Sequence, residues 1–88
     1  MADAKESAVE MLGLGTVQNL DTFDLAMNSL STEYPRGAMK FRLILLDSVR
    51  RGSDKHAEVI RDTLSKCDGD HEKFARVMSK AVRNLDGT

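Results

Sequence analysis

The chain has 88 residues, 41% of them hydrophobic and 31% charged, with a formal net charge of −1. This composition is typical of one globular domain and excludes a disordered or fibrous protein. The single cysteine excludes an internal disulfide, and no run approaches the ~20 apolar residues of a membrane span or the apolar core of a signal peptide. We therefore expect a cytoplasmic protein without a membrane segment.

The residue types favour helices over strands. Glycine and proline are few, and β-branched residues do not alternate with polar ones anywhere in the chain. The predicted fold is all-α, a compact single-domain bundle of four to five short helices over residues 1–88. Within it, residues 1–15 are expected to form an N-terminal segment that can fray.

The first two predicted helices are separated by a glycine-containing loop. The first runs from Asp3 to Leu12, and Gly13 and Gly15 stop it. The second is predicted to begin at Asp21, a residue type that caps helix N-termini well. Its apolar residues recur at intervals of three and four, which indicates a buried stripe: Phe23, Ala26, Met27 and Leu30.

The third predicted helix follows Tyr34, which Pro35 forces away from helical backbone angles. Pro35 itself suits the first turn of a helix, which then runs to about Arg51 and ends at Gly52. This segment, GAMKFRLILLDSVRRG, is the most apolar run of the chain. It therefore decides much of the functional interpretation.

Two further helices complete the predicted bundle. Ser53 is expected to cap a fourth helix that ends near Cys67, and Asp70 to cap a fifth that ends near Leu85 and Gly87. The fifth has the most regular apolar spacing of the chain, through Phe74, Val77, Met78, Ala81, Val82 and Leu85.

No arrangement of residues indicates catalysis, a metal site or a cofactor. His56 and Cys67 lie eleven residues apart, about 16 Å along a helix, so they cannot share a metal within one chain. Cys67 is expected near a helix C-terminus, where the dipole opposes thiolate formation, and a role as a small buried residue fits it better than catalysis. The sequence therefore favours a non-enzymatic protein with no cofactor and no small-molecule substrate.

Charge is distributed unevenly between the two parts of the chain. Residues 1–34 contain one basic and six acidic residues, whereas residues 35–88 contain twelve basic and eight acidic residues. Such an asymmetry can mark a surface that faces an anion, or two faces that attract each other within a monomer or across a dimer.

The third helix has more apolar surface than the edge of a small bundle requires. Its apolar arc covers about 220°, whereas about 100° is enough to face a core. It is predicted either to be the central helix of the bundle or to present its surplus surface to a second subunit or a target. Arg42 lies within the apolar arc and favours the second alternative, because an arginine is easier to pair at an interface than inside a core.

The leading functional prediction is a small interaction or regulatory protein that binds a macromolecular partner as a homodimer. The residues predicted to contact the partner are Phe41, Arg42, Leu45 and Val49. The acidic residues of the N-terminal part can meet a basic surface of a target.

The alternative prediction is nucleic-acid binding by the basic faces of helices 35–51 and 71–85. Two clusters of lysine and arginine could contact phosphates: Arg36, Lys40, Arg50 and Arg51 on the third helix, and Lys73, Arg76, Lys80 and Arg83 on the fifth. A solvated helix face carries similar residues, however, and no aromatic residues are interleaved for stacking on bases.

Overall fold

The computed structural model describes residues 4–87, apart from the side chains of Lys5 and Glu6, and this part contains five α-helices and no strand. The helices are α1 (Ala4–Leu12), α2 (Val17–Glu33), α3 (Pro35–Arg50), α4 (Lys55–Cys67) and α5 (His71–Asp86). The predicted all-α fold is confirmed. Asp3, where the first helix was predicted to begin, lies outside the described residues.

The prediction that Asp21 caps α2 is wrong, because the helix begins at Val17 and its cap lies five residues before Asp21. Thr16 is the N-cap, and its hydroxyl accepts a hydrogen bond from the Asn19 backbone N–H at 3.1 Å. The side-chain amide of Asn19 donates in turn to the Leu14 carbonyl at 2.8 Å. Leu20 is buried together with Phe23, so the core stripe already includes the turn that the prediction placed outside the helix.

The other predicted helix ends agree closely with the structure. α3 begins at Pro35, and the Asp70 carboxylate caps α5 by accepting from the Lys73 N–H at 3.1 Å. Gly87 ends α5, as predicted. The cap of α4 is Asp54 rather than the predicted Ser53, and it makes no side-chain capping bond.

Three aromatic rings at the centre of the bundle join α2, α3 and α5. Phe23 is fully buried, with its ring centroid 6.3 Å from that of Phe41 and 6.1 Å from that of Phe74. α3 contacts all four other helices, as expected of a central helix, but α2 does so too. α2 also buries more residues, namely Leu20, Thr22, Phe23, Ala26, Met27 and Leu30, against Gly37, Ala38 and Leu45 for α3.

The first turn of α3 packs directly against the last turn of α5. A Cβ atom at Gly37 would overlap the Val82 carbonyl oxygen and lie 2.9 Å from the Asp86 Cβ. The Gly37 backbone N–H donates to Asp86 Oδ1 at 2.8 Å, and Lys40 Nζ donates to the Leu85 carbonyl at 3.3 Å. Gly37 therefore sets the distance between the two helices, a role that its place in an apolar run did not predict.

The loop between α1 and α2 contributes one residue, Leu14, to the core. Leu14 is fully buried between two glycines that adopt positive φ angles. Arg61 of α4 donates through Nη1 to the Gly13 carbonyl at 2.7 Å, which satisfies a carbonyl at the end of α1. This hydrogen bond ties the loop to α4.

Candidate interaction surfaces

Seven large apolar side chains are exposed in the described part of the chain: Met11, Leu25, Met39, Leu43, Ile44, Val59 and Val77. Scattered exposed apolar residues are normal in a folded protein, so only neighbouring ones indicate a site. Three of the seven belong to α3, and these three lie on two different surfaces of the helix.

The first surface is the outer face of α3, which we define as Met39, Leu43 and Leu46. Met39 and Leu43 lie one turn apart and are 56% and 55% exposed. Leu46 is partly buried and continues the row. The helical period places the exposed residues Arg36, Asp47 and Arg50 beside this row.

The second surface is a groove between α3, the start of α4 and the end of α5, which we call the α3–α5 groove. It has a volume of about 390 Å³ and is lined by Phe41, Ile44, His56, Ala81, Asn84 and Leu85. Ile44 and His56 also line an adjoining depression with Asp47, Ser48, Arg51, Ser53 and Lys55. The two depressions thus lie side by side, with Ile44 and His56 at their common border.

The four residues predicted to contact a partner lie toward the chain's own core. Leu45 is 1% exposed, and both Phe41 and Val49 are partly buried against the core. Arg42 already has a partner in the same chain, because its Nη2 donates to Asn28 Oδ1 at 3.3 Å. Of the four, only Phe41 lines the groove, and the role of the set in binding a partner stays a prediction.

Met39, Leu43 and Ile44 are exposed but were not among the residues predicted to contact a partner. All three residues belong to the apolar arc of α3, but the helical period does not reveal which part of that arc the other helices cover. In the structure, α2 and α5 pack against the Leu45 and Gly37 sides and leave Met39 and Leu43 outside.

The basic residues predicted to contact nucleic acid do not all remain available to a ligand. Arg51 forms an ion pair with Asp47 at 3.0 Å, and Lys40 is directed at the Leu85 carbonyl. Arg36 and Arg50 on α3 are exposed, as are Lys73, Arg76, Lys80 and Arg83 on α5. None of these six forms an ion pair with a side chain that the structure describes.

Within residues 4–87, no group of three or more histidine, cysteine, aspartate or glutamate side chains is arranged to hold a metal ion. Cys67 is buried, and His56 and His71 begin different helices. None of the described helices combines the length and apolarity that crossing a bilayer demands.

Comparisons with family models, curated proteins and solved structures give no match for this chain.

Proposed function

We propose that this chain is a small, non-enzymatic interaction protein that binds another macromolecule and pairs with a second copy of itself through the outer face of α3. The observation that carries the proposal is the exposure of Met39 and Leu43, which are neighbours on one helix and more than half exposed. Contiguous apolar surface on a soluble domain is typical of a contact surface.

The position of Leu43 suits a contact with two-fold symmetry. Most homodimers are symmetric pairs, in which residues near the axis meet their own copies. Leu43 lies at the middle of α3, so two α3 helices that cross there bring the two Leu43 side chains together. Arg36 and Arg50 lie near the two ends of the helix, where an acidic residue of the other copy can approach them.

We expect Leu43→Glu to abolish self-association while leaving the monomer folded. The substitution would place two carboxylates close to the symmetry axis, and burying unpaired like charges costs several kcal/mol. Multi-angle light scattering over a range of protein concentrations gives the mass, and circular dichroism checks the helix content.

Leu25→Glu is the matched control for Leu43→Glu. Leu25 is 52% exposed on α2, a value close to that of Leu43, but it does not belong to the outer face of α3. This variant is expected to associate as the unmodified chain does. A chain that stays monomeric at every concentration tested, or an equal effect of the two substitutions, would refute pairing through α3.

A second candidate function, nucleic-acid binding, is supported by the four basic residues of α5. Lys73, Arg76, Lys80 and Arg83 are exposed within one arc of the helix, and none is paired with a side chain that the structure describes. This arc lies opposite the buried residues Phe74, Met78 and Val82, where a phosphate backbone can approach it.

If α5 binds nucleic acid, the affinity for duplex DNA should fall steeply with salt. Four phosphate contacts predict a slope of about −3 to −4 in log affinity against log salt concentration. Fluorescence anisotropy measures this affinity at each salt concentration. The double variant Arg76→Glu, Arg83→Glu should bind DNA more weakly, whereas the control Lys66→Glu on α4 should bind as the unmodified chain does. The absence of binding at low salt would eliminate this second function, since phosphate contacts are strongest there.

A further inference from the structure

We infer that the α3–α5 groove is a docking site for an acidic amphipathic helix of a partner protein. The inference rests on the proposed function, because it gives a chemistry to the macromolecule that such an interaction protein binds. It uses a surface different from the outer face of α3.

The lining of the groove has the composition of a binding site. Its floor is apolar, made by Phe41, Ile44, Ala81 and Leu85, and two polar side chains flank it from different helices, His56 on α4 and Asn84 on α5. Neither His56 nor Asn84 makes a side-chain hydrogen bond to any residue within 4–87. A largely apolar depression with a few available polar groups is typical of ligand sites.

The groove favours a helical occupant over an extended one. Its walls are helices, whose backbone groups bond within each helix, so it presents no strand edge to pair with an extended peptide. A bound segment must therefore satisfy its own backbone hydrogen bonds, which an α-helix does. Along α3 the groove and the adjoining depression together extend from Phe41 to Arg51, which is about 15 Å and matches roughly three turns of a bound helix.

The charges around the groove favour an acidic partner. Each of its three helices places a lysine immediately before a lining residue: Lys40 before Phe41, Lys55 before His56, and Lys80 before Ala81. Lys55 and Lys80 are exposed and form no ion pair with a described side chain.

Three acidic residues lie near the groove: Asp47, Asp54 and Asp86. Asp47 is paired with Arg51, and the Asp86 carboxylate accepts from the Gly37 N–H. The four basic residues Lys40, Arg51, Lys55 and Lys80 outnumber these three acidic residues by one. The rim therefore carries a small surplus of positive charge, which complements glutamate and aspartate on a bound helix.

A displayed peptide library tests this inference on the full chain. The peptides should be about 15 residues long, near the length at which isolated helices become stable, with leucines fixed one turn apart and all other positions randomised. Selection on the immobilised protein should enrich aspartate and glutamate at the randomised positions. Enrichment of lysine and arginine, or no enrichment at all, would overturn the inference.

Substitutions at two neighbouring residues of α3 test the groove and the outer face independently. Ile44 lines the groove and is 42% exposed, whereas Leu43 belongs to the outer face. Ile44→Glu should weaken binding of a selected acidic peptide by about tenfold or more, as expected at a central contact, while Leu43→Glu should leave that affinity unchanged. Equal affinity of Ile44→Glu and the unmodified chain would show that the peptide binds elsewhere and would overturn the inference.

A charge reversal tests the lysine rim separately. Lys55→Glu should weaken the binding of acidic peptides, whereas Lys66→Glu, at the other end of the same helix, should leave that binding unchanged. Light scattering on the same variants keeps the two proposals distinguishable, because loss of self-association in Leu43→Glu reports only on the outer face. If the protein is monomeric but binds acidic peptides through Ile44, the groove is confirmed as a docking site and pairing through the outer face of α3 is refuted.

Discussion

Substituting Gly37 with alanine is expected to destabilise the protein by about 3 kcal/mol or to separate α3 from α5, although alanine is the better helix former. The added Cβ would overlap the Val82 carbonyl oxygen and lie 3.0 Å from the Asp86 backbone nitrogen. Both of these atoms belong to the α5 backbone, so no side-chain rotation can relieve the overlap. The helices must move apart, which would weaken the 2.8 Å hydrogen bond from the Gly37 N–H to Asp86 Oδ1.

Gly87→Ala is the matched control for this prediction. Gly87 ends α5 with a φ of −82°, which any residue adopts, and a Cβ there would meet its nearest atom at 3.8 Å. Gly87→Ala should change the free energy of unfolding by about 0.5 kcal/mol or less. Urea denaturation followed by circular dichroism measures both variants, and similar midpoints for the two would contradict the close packing of α3 on α5.

Replacing Phe23 with alanine should lower the free energy of unfolding by about 4 kcal/mol, because Phe23 is one of the two largest fully buried side chains. Phe23 is fully buried, and its ring lies beside those of Phe41 and Phe74, so the substitution leaves a cavity where α2, α3 and α5 meet. A domain of this size is stable by only about 4–13 kcal/mol, so a substantial fraction of Phe23→Ala can be unfolded at room temperature.

Two comparisons make the Phe23 prediction specific. Phe23→Leu keeps most of the apolar volume, so it should lower the free energy of unfolding clearly less than Phe23→Ala does. Leu25→Ala, two residues away on the exposed side of α2, should change the free energy of unfolding by about 0.5 kcal/mol or less. A small loss in Phe23→Ala by thermal and urea denaturation would show that the aromatic cluster does not hold the three helices together.

The candidate groove could not be read from the sequence, because its residues come from three helices. Phe41, His56 and Ala81 are far apart in the chain, and they meet only because α3 and α5 pack closely enough at Gly37 for the start of α4 to reach both. His56 is exposed at the edge of the groove. Of the three lysines that precede lining residues, Lys40 and Lys80 were predicted only as parts of two separate basic faces, and Lys55 belonged to neither face.

The helical class and most helix ends follow from the sequence, because these depend on local chemistry. Pro35 fixed the start of α3, Asp70 capped α5, and the spacing of Phe74, Met78 and Val82 marked its buried side. Which part of the α3 apolar arc faces the core depends instead on how the helices pack together. Leu45 and Leu43 are equally apolar and both belong to that arc, yet one is 1% exposed and the other 55%, because burial depends on where α2 and α5 pack and not on helical period.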